Sequence, residues 1–160
     1  MPFNHFDEKG RAVMVDVSGK APTLRTAVAS AKVHMSPETH ALVLEGRAAK
    51  GDAFAVARLA GIAAAKRTPD LIPLAHPLAI HAVSIDITTD AESGTIRIES
   101  KVRAYERTGV EMEAMVAVSI AALTVYDMCK GMEKRITIGD IALEYKEGGK
   151  SGAFRRENRP

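Results

Sequence analysis

The segment Val110–Cys129, within TGVEMEAMVAVSIAALTVYDMCKG, constrains this chain more than any other stretch. It is almost wholly apolar, yet Glu111 and Glu113 stand at its start and Asp127 and Lys130 at its end. The pattern predicts a helix of about 20 residues, ended by Gly131. A helix that is apolar all round has to be buried on every side. No run reaches the roughly 20 uncharged residues of a membrane span, so the expected cover is protein. Charged groups at both ends of such a helix then need a separate reason.

The rest of the chain must supply the cover. A length of 160 residues fits one compact domain, taken here as residues 1–160, with 1–13 and 149–160 expected to be flexible. Apolar residues make up 46%, but there are only four Phe, three Tyr and no Trp. The core is therefore expected from Ala, Val, Ile, Leu and Met, which suits helices packed closely on a sheet. TLRTAVASAKVHM (23–35) alternates as a strand. SPETHALVLEG (36–46) reads as a helix capped by Ser36, with Pro37 at its first position and Gly46 at its end. A second helix is expected from Asp52 to a stop before Pro69, followed by the proline-punctuated DLIPLAHPLAI. HAVSIDITT and TIRIESKVRAYE flank DAESG as a hairpin. KRITIGDIALEYK reads as a last strand bulged at Gly139, and AVMVDVS can pair at a sheet edge. The fold class is α+β, an antiparallel or mixed sheet covered by helices on one face.

Charge narrows the function. A net charge of +2 is too balanced for a general nucleic-acid binder but leaves room for a local basic pocket holding a small anion. Cys129 is the only cysteine, which excludes an internal disulfide and an iron–sulfur cluster held within one chain, and fits a reducing cytoplasm. MPFNHFDEKGR lacks an apolar signal core, and no membrane association is expected. The histidines show no metal-ligand spacing and no CxxC is present, so neither a metal nor a cofactor is expected.

Several polar groups are candidates for chemistry. Asp127 and Lys130, spaced i,i+3, share one helix face, either as a solvated ion pair or as an acid–base pair. Glu111 and Glu113 suit the positive end of a helix dipole, and their i,i+2 spacing turns them to different faces. His76 precedes Pro77, which fixes its backbone as extended. It is either a buried histidine bonded to a carbonyl or a general acid–base or phosphate ligand. Lys50 precedes Gly51 and a capped helix start, and is either a plain loop lysine or part of a setting that suits an anion. Lys66 and Arg67 end that helix, and Lys150 sits in the flexible GGKSG.

In combination these motifs carry a resemblance. KGD, AGIAAAKRT, DLIPLAHPL, TGVEMEAM, AALTVYDMCK and GGKSG, in this order and spacing, are similar to the molybdenum cofactor biosynthesis protein C family, from about Met14 to Phe154. That resemblance implies a ferredoxin-like fold, assembled as a homohexamer made of three dimers. It implies a lyase, cyclic pyranopterin monophosphate synthase, acting on 3′,8-cyclo-7,8-dihydroguanosine 5′-triphosphate and releasing diphosphate. Carried over position by position, Asp127, Lys130, Lys50 and His76 are the implied catalytic groups. Leu74, Ala75 and His76 form one implied substrate-binding segment, and Glu111, Met112 and Glu113 another. Arg25, Lys66, Arg67 and Lys150 complete the implied binding set. Ala75 stands where members usually carry cysteine. The competing reading is an inert nucleotide-binding module of the same fold.

The charged helix ends now acquire a reason. Glu113 and Asp127 are 14 residues apart, about 21 Å along a straight helix. Two copies packed antiparallel across a two-fold axis would bring the start of one helix to the end of the other. The site is therefore expected to be shared between chains, with Lys50 and Asp127, or Glu113 and Asp127, coming from different subunits.

Overall fold

The computed structural model describes residues 7, 9–46 and 51–157. Its elements run β1 (Thr23–His34), α1 (Pro37–Leu44), α2 (Ala53–Ala65), α3 (Thr68–Leu71), β2 (Ile80–Asp90), β3 (Thr95–Glu106), α4 (Glu111–Cys129), β4 (Thr137–Glu147) and β5 (Phe154–Arg155). The strands form one sheet in the order β2-β3-β1-β4-β5, and every pairing is antiparallel. This is the expected α+β arrangement and is consistent with a ferredoxin-like fold.

Alternation on β1 decides where the helices lie. Ala27, Ala29, Ala31 and Val33 are fully buried, and Ile96, Ile98, Val102 and Ala104 continue that surface on β3. Alanines along the central strand let α4 approach the sheet closely, and α2 packs on α4 in turn. The opposite strand positions, among them Arg97, Glu99, Lys101 and Arg103, carry charge on the uncovered face. Gly61 makes the helix–helix contact possible: a Cβ there would stand 3.0 Å from Ala117 O and 3.3 Å from the Ala121 Cβ. After α2 the chain leads through α3 to Leu74–His76, which line a cavity with Met112 and Glu113 at the start of α4. The two helices therefore run antiparallel, and the Asp52 end of α2 lies towards the Asp127 end of α4.

The caps follow the sequence. Ser36 Oγ accepts from Thr39 N, and Asp52 Oδ1 accepts from Phe54 N and Ala55 N, both at 3.0 Å. Four expectations need correction. Pro69 does not simply end a helix; it sits in the first turn of the one-turn α3, where its missing N–H costs nothing. β4 has two register shifts against β1: one follows Gly139, which pairs with Lys32, and Asp140 there carries the positive φ of 50°; the other falls between Leu143 and Tyr145. The tail is not merely flexible: Phe154 and Arg155 pair with Lys146 and Tyr145 as β5. AVMVDVS forms no strand and has only an isolated bridge at Ala12.

By length and composition α4 could cross a membrane, with a mean hydropathy of 1.5 over its most apolar 18-residue window. Here it is the central helix, and 56% of that window is buried against sheet and neighbouring helix.

Candidate functional site

Two neighbouring cavities open where β1 begins, β3 ends and α4 starts. The larger is about 770 Å³, and Arg25, Arg107, Lys146 and Lys150 line it. The smaller is about 350 Å³, and Leu74, Ala75, His76, Met112 and Glu113 line it. Lys20, Thr108, Gly109 and Glu111 belong to both walls, so the two spaces share a boundary.

Arg25 dominates the larger space. It is only 9% exposed, yet among the described residues it makes no ion pair with a carboxylate. Its guanidinium instead donates to Glu106 O at 3.1 Å and Arg107 O at 3.2 Å. A buried cation satisfied only by carbonyls leaves net positive charge in the cavity wall, a setting that attracts an anion. Gly149 packs directly on this guanidinium: with φ 73°, a Cβ there would fall 2.0 Å from Arg25 Nη1. The neighbouring turn is closed by Lys146, whose ammonium donates to Ser151 Oγ. The side-chain oxygen of Thr23, also in this wall, is buried without a hydrogen-bond partner among the described residues.

Glu113 dominates the smaller space. It is 3% exposed although it sits in the first turn of α4, where the helix dipole favours a negative charge. Burial wins and pushes its carboxyl up to about 7; its own backbone N–H opposes this, and the nearby Glu111 charge adds to it. A carboxyl poised there can either give or take a proton near neutrality. His76 faces the same space and is held at Nε2, 2.7 Å from Val15 O. Glu111 folds back over Gly109, so that a Cβ there would stand 1.8 Å from its carboxylate and the side chain would have to swing away.

The far end of α4 is different. Lys130 Nζ and Asp127 Oδ1 form an ion pair at 2.6 Å, and both side chains are about half exposed. The hydrogen bond to Asp127, and then its charge, hold the Lys130 pKa above the ordinary lysine value. At neutral pH this lysine is a firmly held cation.

The structure thus gathers Arg25, Leu74, Ala75, His76, Glu111, Met112, Glu113 and Lys150 around one pair of cavities. It leaves Asp127 and Lys130 at the opposite end of α4, and Lys66 and Arg67 on an exposed corner outside both cavities. Lys50 lies outside the described residues. Sequence reasoning missed Lys20, Arg107 and Lys146. Lys20 lies between Gly19 and Ala21, Arg107 between Glu106 and Thr108, and Lys146 between Tyr145 and Glu147, with no spacing to set any of them apart from a solvated lysine or arginine. No three His, Cys, Asp or Glu side chains converge as a metal site among the described residues.

The comparisons fit this arrangement. The model of the MoaC family matches residues 14–149. Cyclic pyranopterin monophosphate synthase of Geotalea uraniireducens (strain Rf4) is 68% identical over 157 residues, covering 98% of both chains. The proteins of that name from Geobacter metallireducens and Pelobacter propionicus are 67% and 69% identical over the same length and share. The matched region contains the whole lining of the smaller cavity, all of the larger one's but Lys150 and Ser151, and both ends of α4, and so this chain belongs to the MoaC family.

Proposed function

We propose that this protein is a cyclic pyranopterin monophosphate synthase, a lyase of molybdenum cofactor biosynthesis. It converts 3′,8-cyclo-7,8-dihydroguanosine 5′-triphosphate to cyclic pyranopterin monophosphate and releases diphosphate. The observation that carries the reading is the pairing of a cation-lined cavity with a smaller, partly apolar one that holds two groups suited to proton transfer. The phosphate chain belongs beside Arg25, Lys146 and Lys150. The ring system belongs beside Leu74, Ala75, Met112 and Glu113.

The chemistry asked of these groups is ordinary. Opening and rebuilding the imidazole part of the purine moves protons on and off nitrogen and carbon, a task for His76 and Glu113. Closing the cyclic phosphate requires a substrate hydroxyl to lose its proton as it attacks phosphorus and diphosphate departs. The cations of the larger cavity stabilise the charge that develops on diphosphate. Ala75 contributes only a methyl group to its wall, so this reading gives no step to a thiol at that position. Lys50, Lys130 and Asp127 are the remaining proposed catalytic groups.

The last two reach the cavities only if a second chain supplies them. Leu59 is 70% exposed, Leu123 53%, Val56 42% and Met112 40%, an apolar surface along α2 and α4 that supports burial between copies. The proposed assembly is a homohexamer, a trimer of dimers, with sites built across a subunit boundary. A cytoplasmic location belongs to the same proposal, supported by the single free cysteine.

The deciding experiment incubates purified protein with the purified cyclic nucleotide and follows cyclic pyranopterin monophosphate and diphosphate. Stoichiometric appearance of both is expected. Tight binding without either product would favour the inert nucleotide-binding module. Light scattering should report a hexamer, and a stable monomer at micromolar protein would refute the assembly.

A further inference from the structure

We infer that the strap Val15–Lys20 fixes the hydrogen on His76 Nε2, so that Nδ1 is the ring nitrogen that exchanges a proton with the substrate. This rests on the proposed reaction at the same site. Nε2 lies 2.7 Å from Val15 O. A carbonyl oxygen has no proton to give, so the hydrogen in that bond must sit on Nε2. This holds in both charge states of the ring. Neutral His76 carries hydrogen at Nε2 and a lone pair at Nδ1, whereas the cation carries hydrogen at both. The proton that comes and goes therefore resides on Nδ1.

The strap is built to hold that carbonyl still. Asp16 Oδ1 accepts from Ser18 N at 2.8 Å, and Lys20 N donates to Val17 O at 3.0 Å, which bends the segment into a turn. The Arg107 guanidinium donates to Ser18 O and ties the turn to the end of β3. Val15 and Val17 themselves line the smaller cavity. On the other side, Pro77 restricts the backbone of His76 to extended geometry. The ring is thus fixed through its main chain at one end and through Nε2 at the other. Val15 acts as a positioning residue through its backbone, a role indifferent to its side chain and therefore hard to see in a sequence.

The proton balance is simple. A substrate N–H, C–H or O–H gives its proton to Nδ1, and its bonding pair stays on the substrate. The resulting imidazolium keeps its Nε2–H bond to Val15 O, whose partial negative charge steadies the cation. Return of the Nδ1 proton to another substrate atom restores the neutral ring, with no net change in the protein.

The test uses the full-length protein labelled with ¹⁵N-histidine, the His76 signals being those lost in His76→Gln. Neutral His76 is expected as the Nε2–H form, with Nδ1 unprotonated, and an Nδ1–H form would overturn the inference. His76→Gln keeps an amide N–H able to reach Val15 O but has no titrating nitrogen. Its turnover should fall about a hundredfold or more while KM changes little. Wild-type turnover in that variant would remove His76 from proton exchange and leave the tautomer result standing, so the two failures are distinguishable. Asp16→Ala loosens the strap. It should admit the Nδ1–H form and lower kcat more than it raises KM, whereas Asp16→Asn, which still accepts from Ser18 N, should restore both. An unchanged tautomer and unchanged turnover in Asp16→Ala would overturn the role of the strap.

Discussion

The two ends of α4 treat charge in opposite ways. At its start Glu113 is buried, and desolvation holds its carboxyl near 7, poised between its two forms. At its end Lys130 and Asp127 are half exposed and pair with each other, and that pairing holds the lysine more firmly as a cation. One end has an unsettled proton and the other a settled charge. The contrast teaches that one apolar helix can hold a poised proton at one end and a fixed charge at the other.

The most damaging way to probe this contrast is to remove the settled charge. Lys130→Ala and Asp127→Asn should each lower turnover about a thousandfold or more. Oligomer size and melting temperature should stay near wild type, because a half-exposed pair contributes little to folding. Retained turnover in both variants would show that the cavity end works alone.

A mixture of chains tests whether the ends meet between subunits. Glu113→Gln and Asp127→Asn chains, each inactive, are exchanged and assayed. If every site takes its Glu113 and Asp127 from different chains of a dimer, random assortment restores roughly a quarter of the sites. No recovery after demonstrated exchange would confine each site to one chain.

Titration sharpens the comparison. The folded-state pKa of Glu113 lies above its ordinary value, so the protonated form is favoured by folding, and stability is lost as pH rises from about 4.5 through about 7. Glu113→Gln should therefore melt above wild type at pH 8 and close to it at pH 4, with a gap at pH 8 on the order of 2 kcal/mol. A cation arriving from a second chain would shrink that gap, so comparing dissociated with assembled protein measures the meeting of the ends directly.

The smallest effect concerns the contact that aligns α2 with α4. Gly61→Val would push a branched side chain against Ala117 O, which backbone geometry holds in place. A loss of about 1–3 kcal/mol is expected in chemical denaturation, without a change in the pH dependence.

Much of this was legible beforehand. The alternation of β1, the capped start of α1 and the long apolar α4 are local patterns, and each appears within a residue or two of its expected place. Within the site, the resemblance pointed to His76 and Glu113, and spacing raised the question of how Glu113 could meet Asp127. What stayed hidden depends on contacts distant in sequence. The burial of Arg25 without a counter-ion among the described residues needs the end of β3 and the Gly149 turn folded against it. Strand β5 is two residues long, too short to leave a periodic signal; it pairs with Lys146 and Tyr145, and Arg156 N donates to Glu144 O at 2.8 Å just beyond it. Lys66 and Arg67 illustrate the reverse: a basic pair in a matching motif that lies outside both cavities.

The alanines of β1 carry a consequence for how such a sequence can change over time. Ala27, Ala29 and Ala31 have no exposed surface and share one core with Ala114, Ala117 and Ala121 of the helix packed on the sheet. Any larger side chain there must lift α4, and with it Glu113 at one end and Asp127 at the other. Drift at these three positions is thus coupled to the placement of both ends of a helix they merely support, whereas Arg97, Glu99 and Lys101 on the uncovered face are free to vary with respect to it. Alanine, elsewhere the residue of least commitment, is here among the least replaceable.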